Sequence, residues 1–359
     1  MRILIATNGY PAKKNPTRQV FVKNIFSELR NLNIETDVVF NQWFRHFRSD
    51  LGTGSFVTSA FRVLAMALSY APWFFYRARK YSVIYSQGSV LPGIFVALSK
   101  PFHHAKHAGY AHGSEEEYLL KKGILFKISR FVLNRCDLVA TNSRYMQNLL
   151  KKEYGCESVI IHPGYNHHVF CYEPGPKNID IFFTGHAIER KGIGLLMKAI
   201  SENREFYSAG NVSIHIHFSG GMEQHYHRLA KESGIDTLIT FGGRLDEHVL
   251  VEHYRRSKIV VLPSVREPLG LVGIEAIACG AFLVASDTGG IKEYVQDGVN
   301  GLLFENGNHH DLHKKIVQAL ECYPSIEARQ PEIARTVESF SVSESAKQTA
   351  AHFQKLRHE

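Results

Sequence analysis

Cysteine is scarce in this 359-residue sequence. Cys136, Cys156, Cys171, Cys279 and Cys322 are scattered, with no spacing that would suit a disulfide framework or a zinc ribbon. That pattern points to reduced thiols and a cytoplasmic chain. Long apolar runs are missing too. The longest charge-free stretch, 81–99, contains Ser86-Gln87-Gly88-Ser89 and Pro92, so it reads as strand, turn and helix start rather than a membrane span. Met1-Arg2 leads directly into the apolar run Ile3 to Ala6, which leaves no room for a signal peptide. The first predicted strand-to-helix loop holds a lone Gly9 and no G-x-G-x-x-G, a poor start for hydride-transfer chemistry. No Asp-x-Asp pair occurs. The 20 histidines form pairs such as His103-His104, His167-His168 and His309-His310, and His215 alternates with His217, without accepted ligand spacing, so no metal is assigned.

Charge is unevenly spread. Residues 1–170 hold 22 Lys and Arg against 10 Asp and Glu, a net of +12, and the remaining 20 against 24 give −4. A basic half of this kind suits nucleic acid, an anionic membrane or an anionic acceptor. No helix-turn-helix, zinc-finger or RNA-recognition signature accompanies it, which turns the expectation away from nucleic acid and toward the membrane surface. Segments 43–48 and 61–80 mix aromatics with arginines. The second, broken by Pro72, suits either a lipid interface or a core helix with basic ends.

The length suits two domains. Alternating apolar strands and amphipathic helices run through both halves, the pattern of doubly wound parallel sheets. Residues 163–176, with Gly164, Pro174 and Gly175, read as the connection between them. The expected boundaries are 1–170, 171–340 and a terminal helical segment, 341–359.

The most informative stretch is VVLPSVREPLGLVGIEAIACGAFLVASDTGG, from Val260 to Gly290. Two apolar strands enclose a loop that carries Glu267 and a short helix that carries Glu275. In open parallel sheets, ligands sit at such loops and at the helix N-termini that follow them. An N-terminal helix charge, worth about 0.3–1 kcal/mol, is the ordinary account of Glu267. A solvated helix face is the ordinary account of Glu275, but Val272, Ile274, Ala276, Ile277 and Ala278 around it imply a mostly buried helix, where an unpaired carboxylate is costly. About 10 Å along the axis separates the two at ~1.5 Å per residue, a span suited to a ligand with two polyhydroxyl ends. Gly270 and Leu271 offer backbone N–H groups between them. Upstream, the loop Gly185 to Gly192 sets Arg190 and Lys191 ahead of a helix, a setting that favours a diphosphate. His112 stands at another predicted strand end, beside Gly113, with Ser114 and Glu117 in capping-box spacing.

Pro-Ser, Glu267-Pro-Leu-Gly270, Glu275-Ala, Gly280, Gly289-Gly290 and Glu293, in that order, resemble glycosyltransferase family 4, retaining group 1 enzymes of the GT-B fold. The resemblance extends more thinly over nearly the whole chain. It implies two Rossmann-like domains facing a central cleft, the first for the acceptor and the second for the donor, with the terminal helix crossing back to the first. It implies transfer of a sugar from a nucleotide diphosphate sugar to a hydroxyl acceptor, by attack on the face the diphosphate leaves. A UDP-sugar is favoured as donor, and the acceptor expected is a lipid-linked or cell-surface glycan precursor at the inner face of the membrane.

Residue by residue, the resemblance gives His112 the donor sugar and Lys191 the donor phosphates, and places Gly243 and Arg244 beside the base. Glu267 is assigned the sugar hydroxyls and Glu275 the ribose. His112, Glu267 and Lys191 are thus the expected catalytic set, with Arg190, His186, Gly243, Arg244, Gly270, Leu271 and Glu275 as donor-binding residues. Two departures stand out. His186 occupies the place of a phosphate-binding arginine, and the first loop, NGYPAKKNPTRQV, lacks the family's glycine pair, leaving Lys13, Lys14 and Arg18 to supply charge. Without a metal, the leaving diphosphate falls to protein cations. A nucleotide-sugar-binding protein without catalysis and a GT-B-fold epimerase are the alternatives.

Overall fold

The computed structural model describes residues 1–7, 20–40, 76–90, 92–113, 116, 117, 120 and 123–358. The loop with Lys13, Lys14 and Arg18, the segments 43–48 and 61–75, and Ser114 lie outside them. The chain divides into two compact units, Met1–Gly164 with Val342–Glu359, and Tyr165–Ser341.

The first unit is built on β1 (Arg2–Thr7), β2 (Glu35–Phe40), β3 (Val83–Gln87), β4 (Lys106–Ala111), β5 (Leu138–Thr141) and β6 (Val159–Ile160), in the order β2-β1-β3-β4-β5-β6. Every pairing is parallel. Successive residues of β1 face opposite sides, as the pleat requires. Ile3 and Ile5 join the core with Val342, Ala346 and Phe353 of the C-terminal helix Val342–His358, whereas Leu4 and Ala6 join Phe95 and Val96 on the other face. The terminal helix is fixed there by the edge of the Phe353 ring against Tyr85, with centroids 5.0 Å apart, and by Ser345 Oγ donating to His162 O at 2.5 Å. β6 is only two residues long. Its pairing ends with Ile161 N donating to Thr141 O, two residues before Pro163, which has no N–H to continue a ladder.

The second unit contains β7 (Ile179–His186), β8 (Ile214–Ser219), β9 (Ile239–Gly242), β10 (Ser257–Leu262), β11 (Phe282–Ser286) and β12 (Gly301–Phe304), in the order β12-β11-β10-β7-β8-β9. These pairings are all parallel as well. Ile259 to Leu262 and all of β11 are buried, as central strands covered on both faces should be. β8 instead alternates, with Ile214, Ile216 and Phe218 buried and His215 and His217 half-buried. β7, the first strand of the unit, lies between β8 and β10. Chain order therefore reverses at β7 and β10, and the connections from these neighbouring strands lead to opposite halves of the sheet, a topological switch point.

Candidate functional site

Four loops meet at the carboxyl ends of β7, β10, β11 and β12. The loop after β7 tightens into a 3-10 turn, Glu189–Lys191, closed by Gly192 N donating to Glu189 O at 2.9 Å. Gly192 has φ of 71°, and a Cβ built there would lie 1.8 Å from Pro263 O. Only glycine lets the two loops come this close. Val265 N donates to Arg190 O at 2.9 Å, and Arg190 Nη1 donates to Arg266 O at 3.3 Å. The loop after β11 joins through Gly290 N donating to Glu267 O at 3.0 Å, and Asn306, beyond β12, donates from Nδ2 to Val265 O at 2.9 Å.

This scaffold brings Lys191, Arg190 and Glu267 together. Lys191 Nζ lies 2.5 Å from Glu267 Oε2, with Arg190 Nη1 at 3.9 Å from the same oxygen. Ser264, fully buried, donates from Oγ to that oxygen at 3.2 Å. The Lys191 and Glu267 side chains are 13% and 8% exposed, so their charges are only weakly screened. His186, the last residue of β7, is within electrostatic reach of Lys191, Arg244 and Arg190. Its imidazole is held below the usual histidine range by surrounding protein first and those three cations next. Lys191, Arg190 and Arg244 thus all act electrostatically on His186 at the end of β7.

Gly270 opens the helix Leu271–Ala278 with φ of 87°, and no side chain caps that N-terminus. Tyr294 Oη donates to Gly270 O at 3.1 Å from beneath. Glu275, one turn on, is half-buried in a helix whose Gly273, Ile274 and Ala276–Ala278 are buried. Burial pushes its carboxyl up to about 8, with the charge of Glu247 adding to the rise and the nearby Tyr254 hydroxyl opposing it. Gly243 and Arg244 are exposed on the loop ahead of the helix Glu247–Arg256, and Gly243 has open space where a side chain would stand. His112 belongs to the other unit. It follows β4, its carbonyl accepting from Asn142 Nδ2 at 2.8 Å and its ring centroid 5.0 Å from that of Phe21 and 4.6 Å from that of Tyr110.

Sequence reasoning gave no role to Ser264, Tyr254 or Glu247. Ser264 sat in the Pro-Ser motif and was the legible one. Tyr254 and Glu247 act on Glu275 from a helix about 20 residues upstream, and only tertiary packing shows them.

Residues 172–336 match the family described as glycosyl transferases group 1, and residues 19–169 match glycosyltransferase family 4. An uncharacterized glycosyltransferase of Methanocaldococcus jannaschii is 26% identical over 240 residues, covering 66% of this chain and 65% of the relative. A D-inositol 3-phosphate glycosyltransferase of Streptomyces bingchenggensis is 25% identical over 206 residues, 52% of this chain and 45% of the relative. The aligned region thus spans less than two thirds of these relatives' lengths. Among solved structures, sucrose-phosphate synthase from Thermosynechococcus elongatus superposes with a TM-score of 0.77 at 18% identity, covering 99% of both chains. Anabaena HepE in complex with UDP-glucose gives 0.72 at 18% identity, covering 99% of this chain and all of that one. Two family models that follow one another along the chain, and a fold shared with these structures over its full length, show that it belongs to the family 4, group 1 glycosyltransferases of the GT-B fold.

Proposed function

We propose that the protein transfers a sugar from a nucleotide diphosphate sugar to a hydroxyl acceptor, with retention of configuration and without a metal at the reacting diphosphate. The observation that carries this reading is Lys191 held on Glu267 at the switch point of the second unit, with Arg190, His186 and Arg244 around the same loop. An ammonium has three N–H donors, and Glu267 occupies one, so Lys191 can meet a diphosphate while still anchored. Charge that develops on the leaving diphosphate then falls on Lys191 and Arg190 without a large rearrangement. Glu267 meets the sugar hydroxyls, the uncapped N-terminus at Gly270 and Leu271 meets phosphate, and Glu275 meets the ribose. Gly243 and Arg244 flank the base, and His112 keeps the donor-sugar role that the family resemblance gives it.

A UDP-sugar is the favoured donor, in keeping with the UDP and UDP-glucose complexes of Anabaena HepE. The net +12 of residues 1–170 supports an acceptor carried at an anionic membrane surface, a lipid-linked or cell-surface glycan precursor. No helix among the described residues is long and apolar enough to cross a membrane, and peripheral attachment is the form this reading takes.

A thermal-shift panel of UDP, GDP, ADP and their sugars tests the reading, because a ligand at ~100 times its Kd stabilises by about 2.7 kcal/mol. One nucleotide family should stand out, and its sugar should be turned over. No shift with any of them would overturn the proposal. Binding without turnover, in the presence of varied acceptors, would favour a nucleotide-sugar-binding protein, the reading that His186 in place of an arginine supports.

A further inference from the structure

Outside the donor site, three histidines that sequence spacing could not group are brought together by packing. His215 and His217 stand on one face of β8, and His253 comes from the helix Glu247–Arg256 laid over that face. One ring nitrogen from each lies within 4.8 Å of those of the other two. The ring centroids are 4.8 Å apart for His217 and His253, and 6.1 Å for His215 and His253.

The hydrogen bonding leaves these rings with lone pairs to give. Nδ1 of His215 and Nδ1 of His217 are buried without a hydrogen-bond partner. Nδ1 of His253 lies 2.8 Å from Val249 O, so it carries the proton and leaves Nε2 as the acceptor. A backbone carbonyl that fixes the tautomer of a ligand in this way is the usual outer support of a metal-bound imidazole.

The surroundings make room for such a cluster. Phe182, fully buried, packs against His217 and His253 with centroids at 5.9 and 5.2 Å. Gly242 pairs with His217 across β8 and β9, and a Cβ there would fall 2.2 Å from the imidazole. Among the described residues, no carboxylate or thiol belongs to the cluster.

We propose that His215, His217 and His253 form a binding site for a first-row transition metal ion, zinc or cobalt rather than magnesium or calcium. Three neutral imidazoles suit such ions, which bind nitrogen at about 2.0–2.1 Å, whereas hard cations want oxygen. Small side-chain rotations bring the nitrogens onto one ion and leave a fourth position to solvent. The ion pins the helix Glu247–Arg256 to β8, and so steadies the loop that carries Gly243 and Arg244. The site stands independently of the donor assignment, since none of its residues is used there. The other group of this kind, Glu202 with His309 and His310, is already satisfied by a His309 Nε2 contact to Glu202 at 2.8 Å.

The test is a titration of the full chain, stripped with a chelator, with cobalt(II) and then zinc. One equivalent of cobalt should produce the visible absorption of a tetrahedral nitrogen-ligated ion, without a sulfur charge-transfer band, and zinc should abolish it. Zinc should also raise Tm. His253→Gln and, separately, His215→Asn should weaken binding by at least ~10-fold and remove the Tm shift, while the metal-free variants keep the far-UV spectrum of the parent. The double variant His309→Ala/His310→Ala should bind as the parent does. The proposal is overturned if no tetrahedral cobalt spectrum forms. It is equally overturned if binding persists in both His253→Gln and His215→Asn, or is lost in the His309/His310 variant.

Discussion

Lys191 Nζ and Glu267 Oε2, 76 residues apart in sequence, meet at 2.5 Å where the loops leaving β7 and β10 converge. The contact ties an assigned phosphate ligand to an assigned sugar ligand, so the two side chains form one device. Its physical support is main-chain: Val265 N on Arg190 O, and the bare Gly192 against Pro263 O.

Removing one partner should therefore cost more than removing both. Lys191→Ala leaves Glu267 buried and charged, at a cost of about 3 kcal/mol, whereas Lys191→Met with Glu267→Gln should recover at least about half of that. Both variants should lose ~100-fold or more in turnover. Urea unfolding at fixed salt gives the cycle. Equal stability of Lys191→Ala and the parent would show that the pair is not coupled.

Glu275 should make both stability and binding depend on pH. Its carboxyl is raised from 4.5 to about 8. A carboxyl raised in the folded state stabilises the fold below its unfolded value, and that contribution fades as pH climbs through the folded value. The contribution of Glu275 should thus be whole near pH 4 and gone above about pH 8. It is roughly 1–3 kcal/mol once partial exposure is allowed for. Glu275→Gln should be the more stable protein at pH 8.5 and should flatten the profile. Ribose hydroxyls prefer the ionised acceptor, so nucleotide affinity should rise with pH toward 8 in the parent but not in Glu275→Gln. Identical binding profiles would remove Glu275 from the ribose.

Gly192→Ala should be severe and Gly243→Ala mild. An alanine Cβ at Gly192 meets backbone at 1.8 Å with φ of 71°, so the β7 and β10 loops must separate and carry Lys191 off Glu267. At Gly243 nothing lies within 4 Å. A loss above about 2 kcal/mol in the first and under about 0.5 in the second is expected from calorimetric melting. Similar losses in both would mean that the loop contact is not what fixes the site.

Reversible attachment to anionic liposomes should follow from the charge of residues 1–170. Each Lys or Arg near such a surface contributes about 1 kcal/mol and is screened beyond ~8 Å at physiological salt. The protein should sediment with phosphatidylserine vesicles at low salt and be released at high salt. Failure to sediment even at low salt would remove the main support for a membrane-borne acceptor.

How legible was this in the sequence? Ile259 to Leu262 and Phe282 to Ala285 announced buried parallel strands because nothing in them alternates, and both are interior strands of their sheet. Glu275 announced itself through apolar neighbours on its own helix, a local signal. The contact of Lys191 with Glu267 was hidden, because β7 and β10, separated by two other strands in sequence, become neighbours only once the chain order reverses. His253 was hidden from His215 and His217 for the same reason, being carried by a helix that covers their strand 36 residues later. Local periodicity reports which side chains are buried, but pairing across elements is decided by topology.

The two glutamates should fail in different ways. Glu275 sits on the helix, away from Lys191, and is assigned to a part of the donor remote from the reacting carbon. Glu275→Ala should weaken free nucleotide and intact donor alike, by about 1.5–3 kcal/mol. Glu267 is assigned to the sugar, yet it also holds Lys191 through Oε2, so Glu267→Ala does two things. It removes the sugar contact and frees an ammonium that the diphosphate can then hold unshared. Free-nucleotide affinity in Glu267→Ala should thus be unchanged or slightly tighter, while turnover falls because the sugar loses its alignment. Calorimetry with the nucleotide and with the nucleotide sugar, on both variants, separates the cases. If Glu267→Ala abolishes nucleotide binding in a folded protein while Glu275→Ala leaves it intact, the two carboxylates have been assigned the wrong ends of the donor.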